Sequence, residues 1–254
     1  VSGDILDVGS MVSAAEGCDV IFHVAAAVHG SASDYAEFKE VNATGTENAI
    51  QTARANGAKL VHVSTVNVEA FQSGDLNDDY ASTKARAEEL VSEAVATELD
   101  AVIIRPATVF GNEQGKAGLL VDRLLAGTLK FLPAPSRKIS PVWSGDLARA
   151  LVGAARVGES GRVYTIAGPT LSTGDFVKKV CESGGFQKPY VSIPAWIFAV
   201  PLQVAWWLRK TTRWTPPVSV ESLLSGSVHD GSESALTLNF EYSSIEQIFR
   251  SAAS

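Results

Sequence analysis

Tyr80 and Lys84 stand four residues apart in the run YASTK, a spacing that places both side chains on one face of a helix. A phenol is a weak acid, with a pKa of about 10, and at neutral pH it is a poor base unless something favours its charged form. An ammonium one helical turn away does so. Such a pair suits hydride chemistry at an alcohol or carbonyl carbon, where the oxygen must lose or gain a proton as the hydride moves. The spacing alone also arises by chance on surface helices, so its setting matters. Ser64 and Thr65 follow the apolar run KLVHV, where a hydroxyl at a strand end can reach a substrate oxygen and share it with the phenol. The plain alternative for these two residues is a strand end closed by a turn.

The elements that must position this constellation are legible as alternating patterns. Residues 20–27, VIFHVAAA, predict a buried strand running into a tight loop, because β-branched and aromatic residues give way to small ones. Helical spacing covers Tyr35 to Asn56 and stops at Gly57. Lys59 to Val63 predicts a second strand, Asp79 to Leu99 a long helix, and Ala101 to Arg105 a third strand stopped by Pro106. Strands separated by helices of this length indicate βαβ units and a doubly wound, parallel α/β sheet of Rossmann-like type. Ligands collect beyond the carboxyl ends of such strands, which points to residues 25–28, 64–66 and 106–111. Further helices are expected at 119–125, 146–155, 173–181 and 244–249, with a strand at 235–240. The division expected is a dinucleotide-binding domain over 1–160 and a smaller substrate lobe over 161–254 that returns elements to the main domain.

Composition limits the partners. The chain has 254 residues, 46% of them hydrophobic, and a formal charge of −7 without long basic runs. That suffices for one substantial core and argues against a nucleic-acid partner. Two cysteines, Cys18 and Cys181, make no disulfide framework. With no signal peptide at Val1, a cytoplasmic, reducing location is expected. Residues 193–208 are nearly all apolar and precede Arg209, Lys210 and Arg213. The run is shorter than the roughly 20 residues needed to span a bilayer and contains Pro194 and Pro201. A buried or substrate-facing helix is the main expectation, with membrane-surface contact through 193–213 as the alternative.

Other residues have plainer readings. His23 and His62 lie inside apolar strand patterns and are expected to be packed, hydrogen-bonded core histidines; with His29 and His229 they give no zinc-ligand spacing, so no metal is expected. Arg105 is expected in a strand-end ion pair, with an approach to a phosphate as the alternative, and Asp146 as the N-terminal cap of LARALVGAA. Trp143, Trp196, Trp206 and Trp207 are available to pack the later chain or to face a hydrophobic substrate. Arg137, Lys138 and the basic residues at 209–213 could instead meet a diphosphate.

Taken together, the motifs resemble the extended short-chain dehydrogenase/reductase superfamily, the branch with nucleotide-sugar epimerases and dehydratases, 3-beta-hydroxysteroid dehydrogenases and dihydroflavonol-type reductases. The resemblance runs in order through GDILD (3–7), GCDVIFHVAA (17–26), VNATGTENAI (41–50), VHVST (61–65), YASTK (80–84), IIRPATVFG (103–111) and GDLARA (145–150). It implies Thr65 as catalytic hydroxyl, Tyr80 as acid/base, and Lys84 as the group that holds the nicotinamide ribose and tunes the phenol. It implies an NAD or NADP site that also draws on Asp4 and Ile5 at the adenine, on Ala25, Ala26 and Ala27 near pyrophosphate and ribose, and on Asn42, Ser64, Pro106, Thr108 and Val109. A homodimer built on the helices at 35–56 and 79–99 is a further family expectation.

Two departures accompany the resemblance. The family opens with a strand and a glycine-rich turn for the pyrophosphate, whereas Val1 matches the end of the family's third strand. The expectation is therefore an N-terminally incomplete piece of a longer enzyme. Glu69 and Ala70 stand where a Tyr-Gly pair is frequent. The activity implied is hydride transfer to or from a secondary alcohol or ketone of steroid, isoprenoid or flavonoid type. The alternatives are a nucleotide-sugar epimerase or dehydratase and a non-catalytic derivative of the fold.

Overall fold

The structure is a computed structural model, and it describes residues 3–28, 32, 34–111, 126, 128–183, 190–194, 197 and 228–252. In chain order the first elements are α1 (Val8–Ala14), β1 (Val20–His23), α2 (Tyr35–Lys39), a π turn (Glu40–Thr44), α3 (Gly45–Asn56) and β2 (Lys59–Val63). They are followed by α4 (Asn67–Gln72), α5 (Asp79–Val95), β3 (Ala101–Pro106), β4 (Val109–Phe110), β5 (Phe131–Pro133), β6 (Lys138–Ile139), β7 (Val142–Trp143) and α6 (Ser144–Val157). The last are β8 (Val163–Ile166), β9 (Leu171–Ser172), α7 (Thr173–Ser183), β10 (Val191–Ile193), α8 (Ser232–Thr237) and α9 (Ile245–Ala252).

Two compact units are present. One gathers the described residues of 1–107, 146–166 and 231–241, the other those of 108–145, 167–230 and 242–254. The first holds a four-stranded sheet in the order β1-β2-β3-β8, with every pair parallel. Leu60, Ala101 and Ile103 from the sheet pack with Ala49, Ile50 and Ala53 of α3 and Val91 and Ala94 of α5. Small alanines on the helices let the strands' branched side chains fill the interface, the parallel α/β arrangement expected from the alternating pattern. In the second unit, β4 pairs with β7 and β5 with β10 in parallel, and β6 with β9 antiparallel. Its core joins Phe110, Leu129, Leu132, Phe176, Val177, Tyr190 and Ile248, with Trp143 packed against it.

Several expectations are corrected. Residues 235–240 do not form a strand: α8 occupies Ser232–Thr237. The apparent alternation in ALTLNF is not a two-faced pattern, since Leu236 is 81% exposed while Leu238 is 1% exposed. Asn239 enters the left-handed region (φ 59°) and the Phe240 N–H donates to the Ala235 carbonyl, closing the short helix. The helix over 35–56 is interrupted by the π turn, in which the Gly45 N–H reaches the Glu40 carbonyl five residues back. The long helix ends at Val95, where Glu98 turns left-handed (φ 70°) and the Leu99 N–H bonds to the Ala94 carbonyl. Asp146 does not cap its helix from outside. It is the third residue of α6, buried and ion-paired with Arg149. The helix expected at 119–125 lies outside the described residues, as do Trp196, Trp206, Trp207 and nearly all of 193–213. Among the described residues no helix is long and apolar enough to cross a membrane.

Gly153 shows how closely α6 and the segment after α8 approach. A Cβ there would sit 2.2 Å from the Leu238 carbonyl oxygen, backbone that cannot swing aside. Gly153→Ala is expected to destabilise by about 2 kcal/mol, because overpacking of up to ~3 kcal/mol outweighs a helix-propensity gain of ~1 kcal/mol. Thermal melting checks this; an alanine variant that melts higher than the parent would refute the close contact.

Candidate active site

The parallel strands deliver small and polar residues to one end of the sheet. Past the end of β2, the Ser64 N–H still donates to the Ile104 carbonyl at 2.7 Å, and the Val66 N–H to the Pro106 carbonyl at 3.2 Å. This continued pairing fixes Ser64 and Thr65, both buried, just beyond the strand. The Thr65 hydroxyl accepts from the Asn67 N–H at 3.3 Å and so helps to start α4. The Ser64 hydroxyl is buried without a hydrogen-bond partner among the described residues.

Asp78 caps α5 by accepting from the Ala81 N–H, which sets Tyr80 in the helix's first turn and Lys84 one turn later. The Tyr80 ring is partly buried, 6.2 Å from that of Phe38. Lys84 is 1% exposed, and its Nζ donates to the Val63 carbonyl at 2.6 Å. The bond ties α5 to the last residue of β2, immediately before Ser64 and Thr65. Burial lowers the Lys84 ammonium to about 8, and the Glu88 carboxylate opposes that shift. At Tyr80 the field runs opposite to the sequence expectation. Burial, then the Asp78 carboxylate, push the phenol upward. The physical reason is first the burial of the ring, which disfavours the charged phenolate, and then the repulsion of the Asp78 carboxylate two residues away. The phenol is therefore protonated at neutral pH.

Asn42, in the π turn, joins the two sides of this mouth. Its Oδ1 accepts from the Ala27 N–H at 2.8 Å, and its Nδ2 donates to the Ala27 carbonyl and to the Thr83 hydroxyl, each at 3.1 Å. Thr83 in turn donates to the Tyr80 carbonyl at 3.0 Å. One carboxamide thereby fixes the loop of Ala25, Ala26 and Ala27 and the start of α5. Asp4 and Ile5 are held differently: the Asp4 carboxylate accepts from the Leu6 N–H, and the Ile5 carbonyl accepts from Asn48 Nδ2 at 2.9 Å. Gly45 allows this approach, since a Cβ there would lie 3.0 Å from the Ile5 side chain. Pro106 closes β3. Thr108 and Val109 belong to the second unit, where the Thr108 carbonyl accepts from the Val142 N–H and Val109 pairs with Val142.

Arg105 meets Glu88 through two hydrogen bonds, at 2.9 and 2.6 Å, and Glu69 through a third at 3.1 Å. This is the strand-end ion pair expected, extended to join β3, α5 and α4. Sequence reasoning did not find the π turn, for which no composition signal exists, nor the Thr46 and Thr83 contacts of Asn42. The four-residue spacing of Asn42 and Thr46 was the available clue.

A family model described as the NAD dependent epimerase/dehydratase family matches residues 1–167, a range that contains the parallel strands β1 to β3 and β8, Asn42, Thr65, Tyr80 and Lys84. The chain belongs to this family. Among curated relatives, the 4-hydroxy-2-methyl-3-oxo-4-farnesyl-3,4-dihydroquinoline-1-oxide ketoreductase of Stigmatella aurantiaca is 30% identical over 193 residues, which is 70% of this chain and 58% of that protein. The chain thus spans little more than half the length of that relative. Sterol demethylase protein B of Methylococcus capsulatus is 28% identical over 98% of this chain and 82% of that protein. Among solved structures, UDP-glucose 4-epimerase with UDP-glucose from Thermotoga maritima shares the fold with a TM-score of 0.73 and 19% identity, over 100% of this chain and 85% of that one. The residues present here suit the dinucleotide of an NAD dependent epimerase/dehydratase family member. A buried Ser64 hydroxyl without a partner among the described residues, a buried Lys84 ammonium bonded to the last residue of β2 and a carboxamide-held alanine loop lie at the strand ends where such sheets take their ligand.

Proposed function

We propose that the full-length protein is an NAD(P)-dependent oxidoreductase acting at a secondary alcohol or ketone carbon, with Tyr80 as proton donor and acceptor, Thr65 as the hydroxyl sharing the substrate oxygen, and Lys84 as the cation beside them. The observation that carries this reading is the Lys84 ammonium, buried and tethered to Val63 one residue before Ser64 and Thr65. When bound, the nicotinamide supplies or takes the hydride. The protein's own residues do the rest. Tyr80, held protonated by burial and Asp78, gives its proton to the oxygen of a ketone as that oxygen gains charge, and Thr65 donates a hydrogen bond to the same oxygen. Lys84 places positive charge at the mouth without releasing its proton at neutral pH. By resemblance, Asp4 and Ile5 would serve the adenine end, Ala25 to Ala27 with Asn42 the middle, and Ser64 and Pro106 the nicotinamide end.

For the substrate, a nucleotide sugar has the wider support, because the relatives include dTDP-4-dehydrorhamnose reductase of Mycobacterium tuberculosis, 32% identical over 165 residues, and the fold is shared with UDP-glucose 4-epimerase. An apolar steroid- or isoprenoid-like ketone is supported by the ketoreductase and sterol demethylase relatives. Incubating the full-length protein with reduced nicotinamide and either a farnesylated ketone or a nucleotide 4-ketosugar separates them: net loss of reduced cofactor with one class alone assigns it. Interconversion of UDP-sugars without net cofactor change assigns an epimerase. Well-folded protein that binds neither NAD(H) nor NADP(H) would refute the enzymatic reading in favour of the non-catalytic one. We also propose a homodimer through α3 and α5. The exposed part of α5 carries Arg86, Glu89 and Glu93 in ion pairs, so the interface would be polar and its dissociation salt-dependent. Membrane-surface contact through 193–213 is proposed on the sequence alone, and flotation with anionic vesicles tests it.

A further inference from the structure

The buried histidine of β1 lies outside every role assigned so far, yet it ends a directed chain of hydrogen bonds that reaches the mouth. His23 Nε2 lies 2.9 Å from the Thr46 hydroxyl, and that hydroxyl donates to the Asn42 carbonyl at 2.6 Å. A threonine hydroxyl has one hydrogen. With it committed to Asn42, Thr46 must accept from His23, which fixes the imidazole as the neutral tautomer protonated on Nε2. The ring lies beside that of His62, with centroids 5.1 Å apart; His62 is buried as expected but, contrary to expectation, neither of its ring nitrogens has a hydrogen-bond partner among the described residues. Burial and the Lys84 charge push His23 down to about 3, so the neutral form persists at every working pH. Beyond Thr46 stands the Asn42 residue whose carboxamide clamps both backbone groups of Ala27 and the Thr83 hydroxyl. The π turn that carries Asn42 is a local departure from the α-helix, and Thr46 anchors its carbonyl from the first turn of α3.

We propose that His23 is a positioning residue: acting through Thr46, it sets the π turn that aims the Asn42 carboxamide and thereby locks the alanine loop to the first turn of Tyr80's helix. This rests on the reading of the mouth as a dinucleotide and proton-transfer site, but its structural half is measurable without turnover. The direct reporter is the Ala27 amide, which donates to Asn42. In the full-length protein, hydrogen exchange at Ala27 is expected to speed up about tenfold in Thr46→Val and in His23→Phe, the size of a lost buried hydrogen bond. The amides of Leu60 and Val61 in β2 should stay protected. His23→Gln, whose amide nitrogen can take the place of Nε2, and Thr46→Ser should restore parental exchange, whereas His23→Asn should not. The dissociation constant for NADH should rise about tenfold in the same variants that free Ala27, and recover in the same rescues. Unchanged Ala27 exchange in Thr46→Val overturns the inference, as does an equal rise at Leu60 and Val61, which would make His23 a packing residue only. If His23→Phe fails to fold, Thr46→Val and the Gln and Asn pair decide. Failure of the functional reading looks different: Ala27 responds as stated, but no variant nor the parent binds NADH.

Discussion

Tyr80→Phe is expected to lower turnover by about 10²–10⁴-fold, the usual contribution of a positioned proton donor, while leaving the melting temperature and the NAD(H) affinity near those of the parent. Phenylalanine keeps the ring that stacks near Phe38 and loses only the hydroxyl. Because burial and Asp78 raise the phenol above its ordinary value, ketone reduction should be flat with pH through neutrality and fall only on the far basic side. Alcohol oxidation, which needs the phenolate, should instead climb with pH. Asp78→Asn keeps a helix-capping oxygen and removes the charge, so it should move both limbs to lower pH. Steady-state rates in both directions between neutral and basic pH check these shifts. Parental turnover in Tyr80→Phe would remove Tyr80 from the chemistry.

Much of this frame was legible in the sequence because the parallel α/β pattern is redundant. The runs VIFHV, KLVHV and AVIIR are short, apolar and regularly separated by helical spacing, and each forms a strand of the one sheet. Tyr80 and Lys84 could be placed on one helical face from their spacing alone. What failed was finer. In ALTLNF a period of two suggested a strand, but six residues are too few to distinguish period two from a single helical turn closed by Asn239. The direction of the Tyr80 shift depended first on how deeply the ring is buried, a tertiary fact, and then on the Asp78 carboxylate at the start of its helix. The π turn was invisible because the partners of the Asn42 side chain it carries, Ala27 and Thr83, are distant in sequence. Motif order thus locates the mouth, while burial and long-range hydrogen bonds decide its electrostatics.

Lys84→Met should separate stability from chemistry at this mouth. The ammonium is 1% exposed and lowered from its ordinary 10.5 to about 8. A base whose folded pKa lies below its unfolded one binds protons more weakly when folded, so its charge destabilises the fold. That cost is fully present below pH 8 and fades as pH rises from about 8 towards 10.5, giving a parental stability that increases by about 3 kcal/mol across that window. Methionine fills a similar volume without charge and should abolish the rise. Near pH 7 it should be as stable as the parent or more so, since the relief of a buried charge offsets the loss of about 1–3 kcal/mol from leaving the Val63 carbonyl unpaired. Turnover should nevertheless fall at least about 100-fold. Denaturant unfolding at neutral and basic pH, beside rates on the same samples, gives both numbers. A methionine variant that is less stable at pH 7 yet fully active would show that Lys84 is a structural tether. The opposite outcome would mean that a cation costly to bury is retained at the strand end for what it does to a bound substrate and cofactor, the signature of a site where stability has yielded to function.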